Sequence, residues 1–173
     1  MARSVTRTFR LDDELDQAIQ THSRNENVSV NFVMNRLVRK FIDWDLPAER
    51  FGAFLVAPLL LRRLYDQIDD VSAENLGREI AHDFYEPFIK FLFGELTFAT
   101  TLMLFRRVSE YSGNFVFDSS DKQSHIIVPR HNGGQKISSY YTGVLKGLYV
   151  EILKMKLNVE STRDLCIAQL RFN

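Results

Sequence analysis

Apolar and polar side chains alternate at the beginning of the chain, over residues 4–11. The apolar positions share one parity: Val5, Phe9 and Leu11. The polar positions share the other parity: Ser4, Thr6, Thr8 and Arg10. Alternation with a period of two predicts a β-strand with one apolar and one polar face, and only Arg7 interrupts the apolar face.

The pattern predicts two helices after this strand. Acidic residues at 12–14 favour a helix start there, because negative charge is stabilising near a helix N-terminus. After the polar stretch 22–27, Ser29 is placed to cap a second helix. The apolar side of that helix runs through Phe32, Val33, Leu37, Phe41 and Trp44. Pro47 follows, so we expect a first domain over residues 1–47 and a second over 48–173.

The second domain changes pattern along its length. Residues 51–110 are strongly apolar and predict helices, including one that begins at Asp70 or Ser72 and one over "IKFLFGELTFATTLMLFRRVSEY". "NFVFDS" and "SHIIVPRH" predict two strands, and an apolar stripe from Ile137 to Ile152 predicts a further helix. "LNVE" and "LCIAQLRF" predict a closing hairpin. We therefore expect several helices and a small antiparallel ββαββ sheet, an α+β fold.

The composition is that of a globular protein, with 45% hydrophobic and 12% aromatic residues in a chain of 173. The 22 basic and 22 acidic side chains cancel, so net charge gives no sign of polyanion binding. The apolar runs are far shorter than the roughly 20 residues of a membrane span, and the chain does not begin with an export signal. We therefore expect a cytoplasmic protein that does not contact membranes.

The stretches "TRTFRLDDEL" and "NVSVNFVMNRLVRKFI" together resemble a ribbon-helix-helix DNA-binding domain. The resemblance implies a β-α-α module that forms an intertwined homodimer and inserts a two-stranded antiparallel ribbon into the major groove of DNA. The need for a second copy also follows from size, because about 45 residues are too few to bury a core alone. The whole arrangement resembles archaeal proteins that join such a module to an uncharacterised α+β domain.

The resemblance also implies which residues contact DNA. Base reading is assigned to three alternating positions: Thr6, Thr8 and Arg10. Arginine pairs with guanine, and threonine reaches a base edge or a thymine methyl group. The resemblance assigns phosphate binding to the start of the second helix: Ser29, Val30 and Asn31. Two basic side chains beside the predicted ribbon, Arg3 and Arg7, are further phosphate-binding candidates, and Arg7 departs from the family pattern because it lies on the apolar face. Asn27 takes a position where the family often has glycine, and asparagine tolerates a left-handed conformation.

Other candidate sites are less specific. His125, His131 and Cys166 could bind a transition metal, but no closely spaced pair anchors a site, and we expect neither a metal nor a cofactor. Gly143 and Gly147 lie four apart on one predicted helix, and we expect them to let that helix approach the sheet closely. A polar cluster has no nucleophile or phosphate loop nearby and is interpreted as a solvated helix face: Glu79, His82 and Asp83.

The first functional hypothesis is a dimeric, sequence-specific DNA-binding transcriptional regulator, whose second domain serves dimerisation, higher oligomerisation on DNA or effector sensing. An antitoxin-like or scaffold protein that holds a protein partner is the alternative, and an architectural DNA-binding protein is another. A helix-turn-helix, with Asn31, Asn35 and Arg39 on the recognition helix, would leave the alternating strand unexplained. No catalytic group of residues is present in the sequence pattern, so we do not expect an enzyme.

Overall fold

The computed structural model describes residues 5–53, 56–113, 115–120 and 125–171. The chain divides into two compact units, Met1–Leu46 and Pro47–Asn173, one residue from the predicted boundary. The α-helices are α1 Asp13–Asn25, α2 Val30–Lys40, α3 Leu46–Phe51, α4 Pro58–Tyr65, α5 Asp70–Ile80, α6 Glu86–Phe93, α7 Phe98–Ser112 and α8 Gln135–Leu145. Three π-helical segments accompany them: π1 Phe41–Asp45, π2 Ala81–Tyr85 and π3 Lys146–Ile152. The strands are β1 Ser119–Ser120, β2 His125–Ile127, β3 Lys156–Thr162 and β4 Leu165–Arg171.

The fold-class prediction is wrong at the N-terminus. Residues 5–12 form no strand, and the first regular element is α1. Asp12 caps this helix, because its carboxylate accepts a hydrogen bond from the Leu15 N–H at 2.9 Å. A lone strand leaves its backbone donors and acceptors unpaired, and no described segment pairs with residues 5–12. The described chain is thus mostly helical, and its sheet is confined to the C-terminal unit.

The helices of the C-terminal unit also differ from the predicted pattern. The stretch 89–111 is two helices, because Gly94 ends α6 in a left-handed conformation with φ 82°. Thr97 then starts α7 through a reciprocal capping box with Thr100. Among the described residues, no single helix is long and apolar enough to cross a membrane. One strongly bent pair, Asp70–Phe93 with Phe98–Ser112, passes that test only when its two parts are taken together.

The sheet is antiparallel with the strand order β1-β2-β4-β3. Most of it is the hairpin of β3 and β4, seven residues each, in register from the pair Lys156–Arg171 to the pair Thr162–Leu165. The strands β1 and β2 contribute only two and three residues. Beyond them, isolated bridges pair Arg130 with Val116 and with Leu165, which extends the ladder toward the N-terminus of α8.

The tightest packing in the C-terminal unit is between α5 and α8. A Cβ atom at Gly77 would overlap the carbonyl oxygen of Tyr140, and one at Gly143 would overlap the carbonyl oxygen of Glu74. A Cβ at Gly147 would lie 2.5 Å from the Ala81 Cβ atom. The glycines of α8 and π3 therefore let this helical stretch approach α5 and π2, and the expectation that they face the sheet is wrong. Aliphatic and aromatic side chains fill the core of the unit: Phe88, Ile89, Leu104, Phe105, Val144, Leu145, Leu148 and Tyr149.

Gly77→Ala tests this crossing. Alanine gains about 1 kcal/mol of helix propensity, but its methyl group meets backbone atoms that cannot rotate away. We expect a net loss of about 2 kcal/mol or more in the free energy of unfolding, measured by urea denaturation. Asn75→Ala, on the exposed side of the same helix, is the control and should leave the stability unchanged or slightly raised. A Gly77→Ala protein as stable as the parent would show that the two backbones are not in contact.

Candidate nucleic-acid interface

The residues predicted to read DNA bases lie in the irregular segment that precedes α1. Thr6, Thr8 and Arg10 are exposed, and so is Arg7. Arg3 lies outside the described residues. Neither Arg7 nor Arg10 forms an ion pair with any other described residue. Hydroxyl and guanidinium groups in this segment are therefore free to contact a ligand, although the predicted strand that would hold them in alternation is absent.

The N-terminus of α2 has the predicted cap. The Ser29 hydroxyl accepts a hydrogen bond from the Phe32 N–H at 3.1 Å. The hydroxyl proton of Ser29 is not used by this contact and can be donated elsewhere. Val30 and Asn31 are the first two residues of the helix and are exposed, and backbone N–H groups at such positions have no partner within the helix. Ser29, Val30 and Asn31 thus lie together at a helix end that favours anions.

The turn between α1 and α2 is fixed by a residue that the sequence pattern did not single out. Ser23 is buried, its hydroxyl donates a hydrogen bond to the Val28 carbonyl at 2.5 Å, and its own carbonyl accepts one from the Val28 N–H at 3.0 Å. Asn27 adopts the left-handed conformation, with φ 53°. Arg36 of α2 reaches back to Glu26 at 3.2 Å. These contacts set where α2 begins relative to α1, and so where the Ser29 cap lies.

The N-terminal unit leaves most of its apolar side chains in solvent. Val33 is its only buried hydrophobic residue among those described. Large apolar residues are exposed in the segment before α1, in α1 and α2, and in π1: Val5, Phe9, Leu11, Leu15, Val30, Phe32, Leu37, Val38, Phe41 and Ile42. A single copy of this small unit therefore leaves much of its apolar surface in solvent.

His131 and Cys166 are brought together by Ser138, although they are distant in sequence. The Gly133 N–H donates to His131 Nδ1 at 3.1 Å, so the ring proton of a neutral imidazole is on Nε2, which lies 3.1 Å from the Ser138 hydroxyl oxygen. That hydroxyl donates to the Thr162 carbonyl at 2.5 Å, and the Cys166 thiol donates to the Ser138 carbonyl at 3.1 Å. Burial lowers the pKa of His131, partly opposed by the Asp164 carboxylate, and burial raises the pKa of the Cys166 thiol.

This cluster is structural. Both ring nitrogens of His131 are used to hold the loop that leads into α8, and the thiol is buried. Within the described ranges, no group of three or more His, Cys, Asp or Glu side chains could hold a metal ion.

The polar cluster on the predicted helix also has structural contacts. His82 of π2 lies 3.0 Å from Glu151 of π3, and Arg78 of α5 lies 2.6 Å from the same carboxylate. Hydrogen bonds from His82 and Arg78 lower the pKa of Glu151. Glu79 and Asp83 are exposed. The contacts of Glu151 with His82 and Arg78 join two helical stretches at the surface. Ion pairs at such positions contribute about 1 kcal/mol or less to the free energy of unfolding.

The buried histidine makes stability depend on pH. Because the pKa of His131 is lowered in the folded chain from its ordinary 6.5, the unfolded chain binds the extra proton first, and stability falls as pH drops below about 6.5. We expect His131→Gln to lose stability at neutral pH but to show a shallower decline between about pH 7 and 5. Urea denaturation at several pH values measures the free energy of unfolding at neutral pH and its decline as the pH falls. Carboxylates that do not interact with His131 contribute equally to the two proteins and cancel in the difference, whereas Asp164, which interacts with His131, remains part of the measured effect.

His22→Gln is the control for the loss of an imidazole, because His22 is exposed on α1. If the parent and His131→Gln declined in parallel with falling pH, His131 would not be a buried neutral group.

Comparison with known proteins finds no matching family model, no similar curated protein and no similar solved structure. Neither the fold nor an activity can therefore be carried over from a relative. The exposed residues of the N-terminal unit and their chemistry are the features that indicate a function.

Proposed function

We propose that the chain is a homodimeric, sequence-specific DNA-binding regulator that contacts duplex DNA through its N-terminal unit. The observation that carries the proposal is the exposure of two sets of polar groups on this small unit. One set is Thr6, Arg7, Thr8 and Arg10 before α1, and the other is the capped N-terminus of α2. The proposal does not include the N-terminal strand, which the structure contradicts.

The chemistry of the two sets suits different parts of DNA. Arg10 can donate two hydrogen bonds to a guanine edge, and Thr6 and Thr8 can contact base edges or thymine methyl groups. The Ser29 hydroxyl and the N–H groups of Val30 and Asn31 can hold a phosphate oxygen at the positive end of the helix dipole. Base reading is therefore assigned to the segment before α1, and positioning on the backbone to α2.

Dimerisation is supported by the exposed apolar residues of the N-terminal unit. They include side chains that are about half exposed in the single chain, such as Phe9 at 56% and Leu37 at 48%. A second copy offers the same apolar surface, and a two-fold dimer also presents two equal sets of DNA contacts, which suits a palindromic site. We also propose that the protein is cytoplasmic, and a DNA-binding role requires no catalysis.

The DNA assignment is tested by selection of bound sequences from random duplexes, followed by affinity measurements on the enriched site at two salt concentrations. Arg10→Ala should weaken specific binding by roughly 1 to 3 kcal/mol and relax the sequence preference. Arg63→Ala, an exposed arginine of the second unit, is the matched control and should leave binding unchanged. Salt-sensitive binding without an enriched sequence would favour an architectural role, and no binding would overturn the proposal.

Ser29→Asp separates the phosphate contact from helix capping within the same experiment. Aspartate caps a helix as well as serine does, so the fold should be retained, but its charge repels a phosphate. We expect weaker binding to all sequences alike, with the preference preserved. Ser29→Asn, a neutral capping residue, should have a smaller effect. Unchanged affinity of the aspartate variant would exclude a phosphate at this helix end.

The dimer is tested by sedimentation equilibrium of the full chain. Leu37→Glu should raise the dissociation constant by about a hundredfold or more, because each of two symmetric copies loses roughly 1.5 to 3 kcal/mol of apolar burial. Leu59→Glu, at a residue that is 68% exposed on α4, is the control for the added charge. A parent protein that is monomeric at micromolar concentration would show that the apolar residues of the N-terminal unit serve another partner.

A further inference from the structure

The C-terminal unit contains an open cavity of about 500 Å³ at the end of the sheet. Three parts of the chain form its walls: Gly113, Phe115 and Val116 after α7, residues 130–132 before α8, and the turn 162–165 between β3 and β4. A volume of this size is typical of a small-molecule site.

Backbone pairing determines which side chains share one face of the cavity. The Arg130 N–H donates to the Val116 carbonyl at 2.9 Å, and the Val116 N–H donates to the Arg130 carbonyl at 2.8 Å. Arg130 also forms a bridge with Leu165. Residues directly opposite each other in an antiparallel ladder project from the same face, so Arg130 lies between two aliphatic side chains.

The cavity has an excess of positive charge. Arg130 and Arg163 both line it, both are exposed, and neither forms an ion pair with any other described residue. The one carboxylate in the lining, Asp164, accepts a hydrogen bond from the Gly134 N–H at 2.9 Å and is thereby held at the start of α8. Two guanidinium groups therefore remain for a ligand, and guanidinium groups match the geometry of a carboxylate.

A smaller pocket of about 100 Å³ adjoins this cavity. The two share Gly113, His131 and Asn132 in their walls. The smaller pocket is lined on its other side by apolar and aromatic residues: Pro58, Leu61, Ile137 and Tyr141. The shared His131 uses both ring nitrogens in hydrogen bonds within the protein, and burial lowers its pKa, so the positive charge of the lining comes from the two arginines. The combined site has one cationic end and one apolar end.

We propose that the cavity and the adjoining pocket bind a small organic carboxylate. Arg130 and Arg163 hold its carboxylate group, and its short apolar part enters the pocket between α4 and α8. This proposal goes beyond DNA binding and does not rest on it, since every residue involved belongs to the C-terminal unit.

The test is calorimetric titration of the full chain, without DNA, with hexanoate and with phenylacetate. The neutral amides of the same two acids and inorganic phosphate serve as comparison ligands. At least one of the acids should bind saturably, about tenfold or more tightly than its amide, because the amide lacks the charge that the arginines recognise. It should also bind more tightly than phosphate, which has no apolar part.

Variants locate the site. Arg130→Gln and Arg163→Gln should each weaken binding of the acid by about tenfold, whereas Arg50→Gln, an exposed arginine that lines none of these cavities, should not. Leu61→Phe adds bulk to the apolar pocket and should weaken binding of the acid. Acetate, which has only a methyl group to place there, should bind the parent more weakly and should be unaffected by this substitution. Circular dichroism checks that each variant is folded.

Several results would overturn the proposal. They are no binding of either acid up to its solubility limit, equal binding of acid and amide, or an equal loss of affinity in Arg50→Gln. Retention of full affinity in both cavity variants would place any observed binding elsewhere on the protein.

Discussion

The C-terminal unit depends on the contact between the backbones of α5 and α8. Gly77 and Gly143 face each other where no methyl group fits, and Gly147 and Ala81 continue the close approach one turn further along. Interiors are packed so densely that added atoms must displace existing ones, and backbone atoms cannot be displaced without moving a helix. The separation of these two helices is therefore set by the absence of side chains.

The position of α8 determines the rest of the unit. Ser138, near its first turn, accepts the His131 contact and bonds to the backbone of Thr162. Asp164 accepts the N–H of Gly134 just before the helix. These bonds join the loop before α8 to the β3–β4 turn, and the cavity opens between them. The helix α8 therefore contacts α5 through glycines on one side, and on the other side its N-terminal residues are hydrogen-bonded to the β3–β4 turn that lines the cavity.

The two units differ in how much of their apolar surface is buried within a single chain. The C-terminal unit has a buried core within a single chain, which includes Ile89, Phe105 and Leu145, although it also leaves some large apolar side chains exposed. The N-terminal unit keeps only Val33 and Ser23 buried among its described residues, and its order comes from caps and from the hydrogen-bonded turn at Val28. Local hydrogen bonds define the shape of a short helical pair, but they do not replace a core, so the N-terminal unit leaves large apolar side chains exposed.

The sequence by itself determined the features that depend on neighbouring residues. Ser29 caps α2 because its hydroxyl reaches an N–H three residues ahead, and Asn27 takes a left-handed turn because its short polar side chain tolerates one. Tertiary structure alone decided the rest. The strand expected at residues 4–11 is absent over its described part, residues 5–11, because a strand requires a partner that no local pattern can specify. Three further features bring together residues that are far apart along the chain. They are the contact of α5 with α8 at their glycines, the link between His131 and Cys166 through Ser138, and the cavity with its adjoining pocket. Such contacts depend on how the helices and strands pack against one another. The apolar periodicity of a single helix or strand does not predict that packing.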